Sequence, residues 1–162
     1  MSARWLGVYE NPAPTAAPKK KEAKPRGPSQ ASQVVETAWS AGLSLFRTAN
    51  DSPYATVLDG GQRETWPLGS PSFRGWLGRR YRDNTGTSPG LHAVQEAIEH
   101  LVGEASFGSP VAEVFVRFAA HGGNLYLDLA DPGRNVIQIT ASGWVVMSDA
   151  PVYFVRPRGI LP

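Results

Sequence analysis

The stretch GGQRETWPLGSPSFRGWLGRRY, residues 60–81, contains the transition from a β-hairpin to a helix that decides the predicted fold. Asp59-Gly60-Gly61 has the composition of a hairpin turn, and QRETW (62–66) after it predicts a strand. Ser70-Pro71 is a strong helix start, because Ser caps free backbone N–H groups and Pro fits the first helical position. We therefore predict a helix over residues 70–83, with the core lying between this helix and the sheet.

This helix has an apolar face and a basic strip. The apolar positions recur at helical spacing: Phe73, Trp76, Leu77 and Tyr81. The basic positions fall mostly elsewhere: Arg74, Arg79, Arg80 and Arg82. We predict that the aromatic side chains are core. Two interpretations of the arginines stay open: a solvated strip whose stems cover apolar surface, or a surface that contacts phosphate, with Trp66 stacking on a base.

The rest of the chain predicts an α+β fold with antiparallel meanders, a helical hairpin in the middle and one N-terminal helix. The first helix begins at Ser29 or Ser32 and stops at Gly42, and Ser88-Pro89 starts a second hairpin helix over residues 88–103. Further strands are predicted at 43–48, 54–59, 111–119, 124–129, 135–140, 144–148 and 151–155. We expect residues 29–162 to form a single compact domain.

Residues 1–28 differ from this domain in composition and charge. They hold six basic and two acidic residues, a net +4, whereas residues 29–162 hold ten and twelve, a net −2. Pro, Ala and Lys dominate residues 11–28 without apolar periodicity, so we predict a disordered arm. Within it, Lys19, Lys20 and Lys21 are candidate phosphate contacts, and a solubilising tail is the alternative. Trp5 and Tyr9, before the arm, are candidate contacts to the body or to another protein.

No residue pattern in the chain predicts catalysis, a metal site or a cofactor. There is no cysteine, which excludes disulfides, thiol catalysis and Cys-ligated zinc. The histidines, His92, His100 and His121, stand outside any nucleophile motif, and there is no phosphate-binding loop. Asp128 and Asp131 resemble a magnesium pair, but their spacing favours turn and solvent-facing roles. No apolar run is long enough to cross a bilayer and no secretory signal is present, so we expect a cytoplasmic protein without a membrane partner.

An ordered series of short motifs resembles a module of phage- and mobile-element-encoded replication ATPases, proteins described as primase–helicase-like. The motifs are Tyr54-Ala-Thr, Gly61-Gln-Arg-Glu-Thr-Trp-Pro-Leu, Phe73-x-x-Trp-Leu-x-x-x-Tyr, Val114-x-Val-Arg-x-Ala, Gly123-x-Leu-Tyr-Leu-Asp-Leu-x-Asp, Val136-x-Ile, Gly143-Trp-x-Val and Pro151-Val-x-Phe-x-Arg-Pro-x-Gly. In that family a P-loop ATPase domain follows the module. This chain stops at that junction, so the resemblance implies a role in replication of mobile DNA but no nucleotide hydrolysis.

Two functional hypotheses follow. In the first, the chain is a non-catalytic accessory module of a replication protein that binds DNA or positions a partner ATPase. In the second, it is a protein–protein interaction module that binds another copy of itself or a different protein, with exposed β edges as contact points. The net −2 of the body favours the second hypothesis, because folded DNA-binding domains usually carry the positive charge themselves.

Overall fold

The computed structural model describes residues 27–157. Lys19, Lys20 and Lys21, Trp5 and Tyr9, and most of the predicted arm lie outside the described residues. The elements in chain order are α1 (Gln30–Ser40), β1 (Ser44–Arg47), β2 (Pro53–Asp59), β3 (Gln62–Pro67), α2 (Pro71–Thr85), α3 (Leu91–Gly108), β4 (Val114–Phe115), β5 (Phe118–His121), β6 (Asn124–Asp128), β7 (Val136–Thr140), β8 (Gly143–Met147) and β9 (Tyr153–Phe154). This arrangement confirms the predicted α+β class. None of the helices in the described part is long and apolar enough to cross a bilayer.

Local capping signals place the first two helices. The Ser29 side chain accepts a hydrogen bond from the Ser32 backbone N–H, which fixes the start of α1. Ser70 does the same for the Phe73 N–H, with Pro71 at the first helical position of α2. Gly86 ends α2 with a φ of 74°, a left-handed conformation that glycine adopts without steric cost.

The predicted start and end of α3 were wrong. The helix begins at Leu91, not at Ser88-Pro89, and Gly90 is its N-cap. The Gly90 N–H donates to the side-chain oxygen of Gln30 at 3.0 Å, a tertiary contact that no local motif encodes. The helix also continues to Gly108 instead of ending at residue 103, because Ala105 is still buried in the core.

The helices and the first sheet enclose the main core. Strands β1, β2 and β3 form an antiparallel sheet in that order, as predicted. Helix α1 packs against both α2 and α3, and α3 packs against β1 and β2. The largest fully buried apolar side chains in this core are Phe73, Leu68, Leu77, Leu101 and Val34.

The C-terminal half forms a four-stranded antiparallel sheet in the order β5-β6-β7-β8. The single strand predicted over 111–119 was wrong: the chain bends at residues 116–117 and divides it between two sheets. The last predicted strand also does not join the meander, because β9 pairs in parallel with β4. The Val155 N–H donates to the Phe115 carbonyl at 2.8 Å and extends this parallel pair. Partners distant in sequence therefore decide where these strands lie.

Aromatic stacking and ion pairs join the two halves. The Phe46 ring lies between Tyr54 and Tyr153, with centroid distances of 5.5 and 4.4 Å. Arg63 of β3 pairs with Asp149 at 2.6 Å, and Arg134 pairs with Glu64 at 2.5 Å. Burial, the largest influence, raises the pKa of Glu64 even though Arg134 lowers it.

The solvent-facing role predicted for Asp128 was wrong. Its side chain is 1% exposed, and both carboxylate oxygens accept from Arg156, one of them from Nε at 2.8 Å. Asp131 is in a turn, as predicted, and accepts from the Asn135 backbone N–H at 2.8 Å. Although burial raises it, hydrogen bonds from Asn135 and the nearby Arg156 hold the pKa of Asp131 below its usual value. Both carboxylates are thus engaged in internal contacts.

We expect Arg156→Met to lower the free energy of unfolding by about 3–5 kcal/mol, because it leaves a buried carboxylate without its partner. Adding Asp128→Asn to the same chain should recover part of this loss, since the buried charge is then removed. Urea unfolding followed by circular dichroism measures both effects. The control is Arg47→Met, whose ion pair with Asp51 is exposed and should be worth less than about 1 kcal/mol. Equal losses in the Arg156 and Arg47 variants would contradict the prediction.

Candidate nucleic-acid interface

Burial of one face of α2 directs three arginines to the opposite side. Phe73, Leu77 and Tyr81 are buried at helical spacing. Arg74, Arg79 and Arg82 are consequently exposed. The helical period that predicted the apolar face also accounts for the position of these arginines.

The exposed arginines are held only weakly. Arg74 donates to the side-chain oxygen of Gln95 at 3.2 Å, and Arg79 lies 3.7 Å from an Asp83 carboxylate oxygen. Within the described residues, the Arg82 side chain has no hydrogen bond or ion pair. Exposed pairs of this kind contribute little stability, so these guanidinium groups can turn toward a ligand at low cost.

Arg80 differs from the other three predicted arginines. Its Nη2 donates to an Asp59 carboxylate oxygen at 2.7 Å, and its guanidinium carbon lies 6.0 Å from the centre of the Trp76 ring. It therefore ties α2 to the hairpin between β2 and β3. The structure assigns Arg80 a structural contact, apart from the group formed by Arg74, Arg79 and Arg82.

Trp66 is half-buried in an aromatic cluster. Its ring centre lies 5.6 Å from that of Trp76 and 6.1 Å from that of Phe73. The ring packs against the main core, and Trp66 is not among the residues that line the pocket formed by the exposed arginines. The Nε1 of Trp76 is buried and has no hydrogen-bond partner in the part of the chain that the structure describes.

An open groove runs along the exposed arginines, between α2 and the start of α3. We call it the arginine groove, and its lining residues are Arg74, Gly75, Gly78, Arg79, Arg82, Ser88, Pro89, Leu91 and Val94. Three of these side chains are positively charged and none is negatively charged. The wall formed by α3 contributes apolar and small residues. The groove is thus locally cationic although the body as a whole is not.

Gly75 and Gly78 form the floor of this groove, and the sequence analysis missed them. Among the described residues, no atom outside the local helix backbone lies within 4 Å of the position that a Cβ would occupy at either glycine, and neither has a positive φ. Packing and backbone conformation therefore do not require glycine here, while glycine inside a helix is unfavourable by about 1 kcal/mol relative to alanine. The motif Arg74-Gly75-x-x-Gly78-Arg79 was the available signal: two helix-weakening residues flanked by arginines.

Comparisons with models of protein families, with curated proteins and with solved structures gave no match for this chain. The resemblance to replication ATPases therefore rests only on the motifs quoted above.

We expect Gly75→Ala and Gly78→Ala each to raise the free energy of unfolding by up to about 1 kcal/mol, because alanine favours the helix and meets no neighbour. Chemical denaturation of the two variants tests this. Gly86→Ala is the matched control: its φ of 74° is unfavourable for alanine, so this change should destabilise the protein. A loss of stability at Gly75 or Gly78 would show that the glycines serve packing after all.

Proposed function

We propose that this protein is a non-catalytic module that binds the phosphate backbone of DNA through the arginine groove. The observation that carries the proposal is the groove itself: three weakly held arginines border two glycines that the fold does not need. Guanidinium groups recognise phosphate by charge and by paired hydrogen bonds. A floor without side chains allows a sugar-phosphate strand to approach the helix closely. Such an approach explains why glycine occupies two helical positions where alanine would be more favourable.

The location of the charge supports phosphate contact over base reading. Arginine is the main side chain that the groove offers to a ligand, whereas Trp66, the aromatic candidate for base stacking, is half-buried against the core and does not line the groove. Contacts to phosphate carry little sequence information. We therefore infer binding that is salt-sensitive and nearly independent of DNA sequence. Lys19, Lys20 and Lys21 would add phosphate contacts from the arm.

The biological role proposed from the motif resemblance is in the replication of phage or mobile-element DNA, in the cytoplasm. There the module would hold DNA for a partner P-loop ATPase, or position that ATPase. The alternative function is a protein–protein interaction module without a nucleic-acid role. The exposed apolar side chains of the C-terminal sheet, Trp144 and Phe118 among them, favour a protein–protein interaction.

We expect the full chain to bind single- or double-stranded DNA with an affinity that falls as salt rises. The triple variant Arg74→Gln, Arg79→Gln, Arg82→Gln should weaken binding and reduce the slope of log affinity against log salt by about one for each arginine removed, because each phosphate contact releases condensed counterions. Fluorescence anisotropy with labelled oligonucleotides of several sequences, at four or more salt concentrations, measures both quantities.

Arg80→Gln is the matched control for Arg79→Gln. Both remove one positive charge from neighbouring positions of α2, but Arg80 is paired with Asp59. Arg79→Gln should lower the affinity more than Arg80→Gln does. Gly78→Ala should also lower the affinity without unfolding the protein. A triple variant that binds like the unmodified chain would place the DNA site outside the groove, and absence of binding at low salt would refute the proposal.

A further inference from the structure

The four-stranded sheet β5-β6-β7-β8 has one face made only of apolar side chains. Because strand residues alternate between faces, the pairing register puts two rows of four residues on this outer face. The first row is Ala120, Leu125, Ile139 and Trp144, and the second is Phe118, Leu127, Ile137 and Val146. None of the eight is charged, and the only polar atom among their side chains is the indole nitrogen of Trp144.

This outer face is open. Trp144 is 71% exposed and Phe118 is 68% exposed, and Leu125, Ile139 and Val146 are also exposed. A contiguous group of exposed apolar side chains that spans four strands marks an interaction site in soluble proteins. The opposite face of the same sheet is covered over β5, β6 and β7, since Ala119, Tyr126 and Val136 pack there with Ala150 and Val152.

The occupant of the face must be largely apolar and uncharged, because the face offers no charged side chain and only one hydrogen-bond donor, the Trp144 indole N–H. A charged polymer such as DNA does not fit this chemistry. A second sheet does, since two sheets pack face to face at about 10 Å with their strands nearly aligned. The face itself is such a sheet, so a second copy of the chain has the required chemistry.

The sizes of the side chains make the face complementary to itself. Along the first row, from β5 to β8, the side chains grow from Ala120 to Trp144. Along the second row they shrink from Phe118 to Val146. Two copies can face each other with a two-fold axis that runs parallel to the strands and midway between the two sheets. In this arrangement β5 of one copy lies opposite β8 of the other.

This rotation places each large side chain opposite a small one. Trp144 then faces Ala120 of the partner subunit, and Phe118 faces Val146 of the partner subunit. Large side chains opposite small ones allow two layers to interdigitate at native density. A two-fold interface needs exactly such a self-complementary patch.

We propose that two copies of this protein form a symmetric dimer through the outer faces of their four-stranded sheets. The contact is the sheet face and not the exposed β edges that the sequence suggested. The proposal does not depend on DNA binding, because the arginine groove lies on α2 and α3.

The first test compares neighbouring positions on β8. Val146 is 47% exposed on the outer face, and Val145 is 50% exposed on the opposite face. Sedimentation equilibrium of the full chain should give a dimer. Val146→Asp and Leu125→Asp should each weaken dimerisation at least tenfold, while Val145→Asp leaves it nearly unchanged. Circular dichroism and thermal melting verify that each variant is folded.

The second test separates a specific interface from general apolar adhesion. Ala120→Trp adds apolar surface, so general adhesion would become stronger. In the proposed dimer it meets Trp144 of the partner subunit and dimerisation should weaken at least tenfold. The double variant Ala120→Trp, Trp144→Ala restores a large side chain opposite a small one and should recover dimerisation.

Three results would overturn the proposal. A full chain that stays monomeric at every concentration would exclude a second copy as the occupant of the outer face. If the double variant Trp5→Ser, Leu6→Ser then formed a dimer, the chain's own N-terminal segment would be what covers that face. A dimer that resists Val146→Asp and Leu125→Asp, but not Val145→Asp, would indicate pairing at the β8 edge. Stronger association of Ala120→Trp would indicate unspecific adhesion.

Discussion

The buried ion pair between Asp128 and Arg156 determines which way the C-terminal sheet faces. Asp128 ends β6 with its carboxylate inside the protein, where Arg156 from the end of the described chain neutralises it. Because side chains alternate along a strand, an inward Asp128 puts Tyr126 inside as well, and Leu125 and Leu127 outside. A shift of one residue would reverse every one of these positions. The ion pair therefore selects the register that leaves the more apolar face exposed.

This orientation reverses the usual distribution of polar and apolar side chains between the two faces of a sheet. A solvated antiparallel sheet normally turns its apolar face to the core and its polar face to water. Here the inner face contains Asp128 and Gln138, and the outer face contains only apolar side chains. Gln138 donates to the Tyr126 hydroxyl at 3.1 Å, so the inner polar groups have partners inside the protein. The sheet as a whole is consistent with burial on both faces, which is why the outer face indicates an interface.

Local sequence signals predicted α1 and α2 well, because the interactions that bound these two helices are short in range. Ser70-Pro71 and Gly86 bound α2 through contacts within a few residues, and the helical period alone exposes Arg74, Arg79 and Arg82. The site residues that depended on distant partners were not predictable in this way. Arg80 is engaged by Asp59, 21 residues earlier, and only the fold brings these two residues together.

The C-terminal half was predicted less accurately for the same reason. The alternation of NLYLDL correctly indicates β6 but is silent on which face is inside, since Arg156 lies 28 residues beyond Asp128. The division of residues 111–119 between β4 and β5 follows from the parallel pairing of β4 with β9, which no local pattern contains. Periodicity identifies elements, whereas pairing across long sequence separations decides their arrangement.

The two proposed surfaces lie on different elements, so one does not exclude the other. The arginine groove belongs to α2 and α3, and the apolar face belongs to β5 through β8. A dimer through the apolar face would carry two arginine grooves. Three arginines in one groove give weak binding, but a second groove on the same particle acts at a high effective concentration once the first is engaged. In the proposed dimer, association through one half of the fold would let a body with a net charge of −2 retain DNA through the other half.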